Sequence, residues 1–500
     1  MTDPVQVEAL LLTDDRYMAG KGVGQMRWKK QTDTDCREQP NMEITGKKRR
    51  WAAEILFLLL VFAAILCFAA VQPFGDPPDE INRFKVVQYI RAHGSLPRGD
   101  DPEILLDGYG ASYAFQPILT YIIQGFLLRF LDGFHLEWEA LLLGARMVNV
   151  LFGVLTAWVV RKIAREVWEE PGPQWTFSVM VMFLPQHLFL HSYVNTDSMA
   201  LLSVAILFYV LLRAGRTGYG WKECLWMAVG IILCAMSYYN AYGMILAAML
   251  VFVLDFVEIG GEAADSGKDP GVKPGSRKIR IAWKPLLQKG GVISVLVLAG
   301  IGWWFLRNGI LYQGDLLALE ARKQCAMLTA TEEFHPLTRF TYQSAGKSLG
   351  EMLIGTGYLI LLRDSFIAMF GPMQIPTHGL IYLGYQWMWI GTGLAALLPI
   401  GKKVDRNPDI RKQRQIVFHG SMLLFCLITI GLSIYYSYSW EYQPQGRYIM
   451  PVLIPLMYLV THGVRKLSGW FGRWIYAAVT GYVLLAFGYS LLDRFLPFYA

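Results

Sequence analysis

Eleven apolar stretches recur through this chain, near residues 52–71, 142–160, 174–191, 198–213, 222–237, 240–257, 289–306, 379–400, 415–435, 449–463 and 471–490. A bilayer's hydrocarbon core asks for about 20 apolar residues per helical span, and several of these runs are only just long enough. Such a pattern leaves few folds open. Composition agrees, because 54% of the 500 residues are hydrophobic and only 17% are charged, too few charges to cover a soluble chain of this length. The expectation is an all-α polytopic membrane protein with about eleven spans.

The first 51 residues differ. Ten Lys/Arg and no apolar run mark a poorly ordered cytoplasmic tail, with Lys47-Lys48-Arg49-Arg50 beside the lipid headgroups. The stretch after it is too long and too far from the N-terminus for a signal peptide, so it stays as the first span. Residues 52–500 then form one transmembrane domain. Its basic connections are Arg161-Lys162-Arg165, Arg213-Arg216-Lys222, the polar linker 259–288, Lys402-Lys403-Arg406-Arg411-Lys412-Arg414 and Arg465-Lys466-Arg473. The intervening connections His191 to Asp197, Tyr238 to Asn240 and Tyr436 to Gln445 carry no Lys or Arg. The positive-inside rule places the N-terminus in the cytoplasm and the C-terminus outside, in a cell membrane. The net charge of +7 follows this topology and gives no reason to expect nucleic acid. Six cysteines without a C-x-x-C pair suggest neither a disulfide framework nor a cysteine zinc site.

Two long connections, 72–141 and 307–378, fall on the outer side. Each contains a short apolar piece, Phe115 to Phe130 and Met352 to Leu362. A span at the first would reverse every later loop, so a helix lying on the outer surface is expected.

The chemistry-bearing residues collect on this outer face. Asp76, Asp79, Glu80 and Arg83 follow the first span in Gly75-Asp76-Pro77-Pro78-Asp79-Glu80; Asn195 and Asp197 lie in the next outer connection; Arg307, Asn308 and Asp315 follow the seventh span; Arg447 opens the tenth. Two readings fit the acids at 76–80. Acids in a first helical turn are favoured by the helix dipole, as solvated caps. A carboxylate on a proline-fixed backbone also suits a general base, with arginines at the same level holding a phosphate leaving group. Asp79 and Arg83 share a helix face, which equally fits an exposed ion pair of about 0.3–0.5 kcal/mol.

Other motifs carry less. His187 and His191 have the spacing of helical metal ligands without the Glu of H-E-x-x-H, and no metal site is expected there. Gly346-Lys347-Ser348 has Thr341 where a phosphate loop needs its first Gly. Trp303, Trp304, Trp387 and Trp389 suit interfacial belts, with sugar stacking the alternative.

As an ordered set, several pieces resemble the GT-C membrane glycosyltransferases that use polyprenyl-phosphate-linked sugars. These include the protein O-mannosyltransferases and lipid A aminoarabinose transferases, and the resemblance is nearest to a bacterial branch linked to cell-surface polysaccharides. The pieces are Pro77-Pro78-Asp79-Glu80 with Phe84, Gly94-Ser95-Leu96-Pro97, Phe115-Gln116-Pro117, Tyr193 to Ser198, Trp303 to Asn308 with Tyr312 and Asp315, Ser365-Phe366, Phe370-Gly371, and Gln445-Gly446-Arg447-Tyr448. The resemblance implies a GT-C-like helical bundle with outer-face helices, and Asp79 as general base supported by Glu80 and Asp76. Arg307, Arg447 and Arg83 become candidates for the donor phosphate, and Asn195, Asp197, Asn308 and Asp315 for substrate. Members often have His four residues after the Asp; Arg83 stands there, and an Arg can hold phosphate but not act as a base. Divalent cation use varies among relatives. The implied partners are a polyprenyl-phosphate-linked sugar, a glycan, lipid or protein acceptor, and the bilayer; direct transfer implies inversion. A flippase or transporter, and a polymerase or ligase of lipid-linked oligosaccharides, are the alternative functions.

Overall fold

The computed structural model describes residues 35–260, 278–397 and 412–500. Most of the N-terminal tail, most of the 259–288 linker and the basic run from Lys402 to Arg411 lie outside the described residues. The chain divides into two compact units, residues 1–55 and 56–500.

Helices account for nearly all of the second unit. α1 (Asp35–Val71) runs into it and is followed by α2 (Glu80–His93), α3 (Leu119–Leu131), α4 (Trp138–Val167), α5 (Pro171–Met182), α6 (Pro185–Leu190) and α7 (Asp197–Thr217). Next come α8 (Trp221–Ala235), α9 (Tyr242–Asp255), α10 (Trp283–Leu311), α11 (Leu319–Thr329), α12 (Tyr358–Ile367), α13 (Gly379–Leu397), α14 (Lys412–Ser439), α15 (Leu453–Phe471) and α16 (Trp474–Tyr489). Two small antiparallel ribbons interrupt them, Val257–Gly260 with Lys278–Ile281 and Met369–Phe370 with Ile375–Pro376.

Each apolar stretch in the sequence is mostly helical among the described residues, yet the helices are not equal in length. Among the described residues, seven helices are long and apolar enough to cross a membrane: Lys48–Val71, Trp138–Val167, Asp197–Thr217, Trp283–Leu311, Gln413–Ser439, Gly446–Phe471 and Trp474–Tyr499. The expected count of about eleven exceeds this by four, and the reasons are local. Pro185 cannot donate to the preceding turn, and the helix through the 174–191 run breaks there into α5, with 12 residues ending at Met182, and the short α6. α8 and α9 have 15 and 14 residues, about 21–23 Å at 1.5 Å each. α13 has 19, its hydropathy diluted by two Tyr and two Trp.

α7 occupies the centre, 78% buried, and packs against α4, α8 and α9. α10 and α16 are peripheral, 17% and 22% buried, and turn Leu298, Leu306 and Leu485 outward as lipid-facing helices do. α3, with 13 residues, is too short to span. It hides Thr120, Tyr121 and Gln124 inside and exposes Ile123, Phe126 and Phe130. That inverted polarity suits a helix whose outer face meets apolar surroundings.

A candidate active site between the first helical hairpin and residue 447

α2 starts where the sequence places it, but the residue at its N-cap does not cap. Asp79 takes up left-handed backbone, φ 63°, and its side chain makes no capping hydrogen bond to the helix. A non-glycine residue there costs on the order of 1–3 kcal/mol and persists only where its surroundings hold it. Here they hold the carboxylate. Arg447 Nη2 donates to Asp79 Oδ2 at 2.6 Å, Arg83 Nη2 lies 3.6 Å from the same oxygen, and Arg447 Nη1 reaches the Pro78 carbonyl at 3.5 Å. The cap reading of Asp79 therefore gives way to an ion cluster.

Arg83 links this cluster to a third element. Its Nη1 donates to Asp197 Oδ2 at 3.1 Å, at the first residue of α7, and its guanidinium lies 5.5 Å from the Tyr113 ring. Of the Asp79–Arg83 pair, which the exposed reading put on the surface, the arginine is buried: Arg83 is 1% exposed, Asp197 4% and Arg447 5%, whereas a third of the Asp79 side chain remains accessible. Two arginines thus meet two aspartates, with one carboxylate open to a ligand.

Burial alone would raise the Asp79 pKa, but the charges of Arg447 and then Arg83 outweigh it and hold the carboxyl below its ordinary value. Burial likewise opposes charge on Arg83, yet Tyr121 and Asp197 keep its guanidinium protonated well above the usual range. Tyr113 is pushed up by burial and by Asp79, so it is a hydrogen-bond donor. The Nε atoms of Arg83 and Arg447 are buried without a protein partner, which leaves donor capacity in the cluster.

Arg447 is aimed by backbone packing. It lies in a short 3-10 turn, Gly446–Val452, and Gly446 N donates to Ser365 Oγ at 2.8 Å. A Cβ at Gly446 would collide with the Phe366 backbone, so only glycine lets this turn seat on α12. Arg447 Nη2 also donates to the Tyr448 hydroxyl at 3.0 Å, which in turn donates to Gln443.

Glu80, one residue from Asp79, faces the other way. Arg146 grips it with two bonds, Nε to Oε1 at 2.9 Å and Nη2 to Oε2 at 2.6 Å, and the backbone N–H groups of Val194 and Gly75 complete its shell. Arg146 also donates to the carbonyls of Ala69, Gln72 and Pro73. Glu80 is fully buried, and through it Arg146 of α4 ties the start of α2 to the end of α1. Asp76 is partly buried beside Tyr499.

The other sequence candidates go to separate places. Asn195 uses its amide on the carbonyls of Leu190 and Tyr193 and receives Ser198 N, while Asn149 donates to its carbonyl, so it fixes the turn that presents Asp197. Arg307 Nη2 donates to the carbonyls of Leu96 and Pro97; Asn308 donates to Leu316 O; Asp315 receives the N–H groups of Glu320 and Ala321 at the start of α11. Among the described residues, these three share no hydrogen bond or ion pair with the Asp79 cluster. His187 and His191 pack edge to face, 4.8 Å apart, inside the core. Sequence reasoning missed Arg146 and Tyr113. An arginine inside an apolar run is itself a signal for the first; nothing local marks the second.

These features define a polytopic helical membrane protein with a buried charged cluster at one end of its bundle. The chain belongs to the membrane protein family DUF2142, described as predicted membrane proteins, whose model matches residues 110–457. That match includes Tyr113, Arg146, Asp197 and Arg447 and begins after Asp79. Among curated proteins, no sequence matches the chain. Solved structures similar to it include the Archaeoglobus fulgidus oligosaccharyltransferase in complex with Zn and sulfate, at TM-score 0.45 and 11% identity over 87% of this chain and 53% of that one. The apo form of that enzyme gives 0.40 and 12% over 88% and 54%, and the A. fulgidus oligosaccharyltransferase AglB with an inhibitory peptide and a dolichol-phosphate gives 0.37 and 14% over 89% and 51%. The chain thus spans about half the length of these structures.

Proposed function

We propose that the protein is an integral membrane glycosyltransferase that moves a sugar from a polyprenyl-phosphate carrier to a glycan, lipid or protein acceptor at the outer face of the cell membrane. The observation that carries this reading is Asp79: strained, uncapped, a third exposed, and sharing one oxygen between two buried arginines. A carboxylate so placed can receive a proton from a ligand, and the arginines beside it suit a phosphate.

In the resting cluster Asp79 is too well paired to be a strong base. A donor phosphate reaching the cluster competes for Arg447 and for the unused Nε donors, and this loosens the grip on Asp79 and raises its basicity. The acceptor hydroxyl then attacks the anomeric carbon as its proton passes to Asp79. The bond from that carbon to the phosphate oxygen breaks, and the phosphate departs with its electron pair, held by Arg447. One displacement inverts the anomeric centre. Arg83 and Asp197 keep the cluster assembled, and Glu80 with Arg146 fixes the backbone beneath it.

Asp79→Asn tests the assignment. Membranes carrying the variant should contain normal amounts of folded protein, fail to transfer sugar, and accumulate the loaded carrier. Near-normal transfer would remove Asp79 from the chemistry. Loss of surface glycan with carrier trapped in the inner leaflet would instead indicate a flippase.

A further inference from the structure

A second polar site lies at the other end of the same helices. Asp197 opens α7, and Arg213 stands near its far end, roughly 24 Å along the axis at 1.5 Å per residue. There α4, α7 and α8 enclose a cavity of about 180 Å³ lined by Trp158, Lys162, Tyr209, Arg213, Lys222 and Trp226, with Glu223 at its edge. Glu223 is neutralised by Arg213, whose Nε donates to it at 2.8 Å. Lys162 has no carboxylate partner among the described residues; its ammonium instead rests 4.3 Å from the Trp158 ring centre and 5.9 Å from that of Tyr209. Lys222 is exposed and also lacks an acidic partner among the described residues. Among the described residues, the cavity therefore carries two unneutralised positive charges. Trp158 and Trp226, about two-fifths exposed, stand at its rim with ring centres 6.5 Å apart.

We propose that this cavity binds the phosphate group of an anionic phospholipid. Basic recesses between membrane helices recognise such headgroups, and tryptophans at the rim sit where the glycerol and upper acyl chains run. Size points the same way. Pockets that engulf a whole small ligand run about 300–1,000 Å³, so this smaller one suits a headgroup whose tails stay in the bilayer. The unpaired ammonium of Lys162 gains from a phosphate what the Trp158 ring supplies only in part. Bound there, the lipid would bridge α4 and α8 at the end remote from Asp79.

Native mass spectrometry of the full-length protein in detergent tests this, with phosphatidylglycerol and phosphatidylcholine as probes. Wild type should retain phosphatidylglycerol several-fold better. Lys162→Gln combined with Lys222→Gln should reduce that retention about fivefold or more, whereas Lys162→Arg should keep it. Inorganic phosphate in the same assay separates the sources: failure to displace the lipid assigns the site to a headgroup, and full displacement assigns it to free phosphate. Equal retention of the two lipids by wild type overturns the proposal. So does unchanged retention in the double variant, or loss of retention in Lys162→Arg at an unchanged melting temperature.

Discussion

Asp79 and Glu80 are neighbours of like charge at the start of one helix, and the fold treats them oppositely. Glu80 is sealed: a bidentate arginine and two backbone N–H groups satisfy both oxygens, and no solvent reaches it. Asp79 meets its arginines through one oxygen, on strained backbone, with a third of its side chain open. On the proposed reading, the contrast separates a structural ion pair from a reactive one by how completely each is satisfied. A saturated carboxylate has nothing to offer a substrate, and a half-satisfied one does.

Exchanging the acids for their amides should split this pair cleanly. Asp79→Asn should lower transfer by about 10²–10⁴-fold, the usual worth of a positioned proton acceptor, with a smaller fall in melting temperature than Glu80→Gln gives, because the Asp79 side of the pair stays open to solvent. Glu80→Gln should do the reverse. It leaves Arg146 charged and unpaired in the interior, a loss of about 3–5 kcal/mol read by denaturation or thermal melting, while the protein that still folds keeps its turnover per molecule. Replacing Glu80 and Arg146 together by Leu and Met should cost less than either single change, because no buried charge is then left over. A stability loss in Asp79→Asn as large as that in Glu80→Gln would erase the distinction.

How much of this is legible in the sequence depends on the range of the interaction. The helical character of the apolar runs and the start of α2 follow from local pattern and can be read directly. The partners cannot: Arg146 meets Glu80 across 66 positions and Arg447 meets Asp79 across 368, and no spacing rule reaches that far. Charge alternation sorts residues by side of the membrane and says nothing of which ones touch. Arg307, Asn308 and Asp315 illustrate this: Asn308 and Asp315 serve a loop and a helix end of their own segment, and Arg307 reaches across to the Leu96 and Pro97 carbonyls instead of Asp79. The short helices α5, α8 and α9 were hard to tell from full spans because hydropathy records apolarity more faithfully than the point where a proline or turn stops the helix.

Smaller changes should show how the open carboxylate is tuned. Burial raises the Asp79 pKa and the arginines lower it, so the net depression depends on them. A depressed carboxyl stays ionised as pH falls, so the acid limb of kcat/KM should lie below the ordinary carboxylate value in wild type. Arg447→Gln removes the strongest opposing charge and should move that limb to higher pH, alongside a rise in KM for the donor of about tenfold or more. By linkage, whatever stability the Asp79 pairing contributes is present above the unfolded carboxyl pKa and lost as pH falls through the lower folded value. Arg447→Gln should therefore reduce the melting temperature near neutrality more than at strongly acidic pH.

Tyr113 should give the smallest effect and the sharpest check on the electrostatics. Its hydroxyl faces the Asp79 carboxylate and its ring lies beneath Arg83, so Tyr113→Phe keeps the ring contact and removes only the donor. One hydrogen bond to a charged group is worth about 1.5–3 kcal/mol at most, and less where solvent can replace it. Turnover should change about three- to tenfold, and the acid limb should move upward by less than in Arg447→Gln. The order of the two shifts is the decisive readout. A larger shift in Tyr113→Phe would mean that hydrogen bonding, and not the arginine charges, sets the state of Asp79, and the contrast with the doubly bonded Glu80 would then be one of solvation alone.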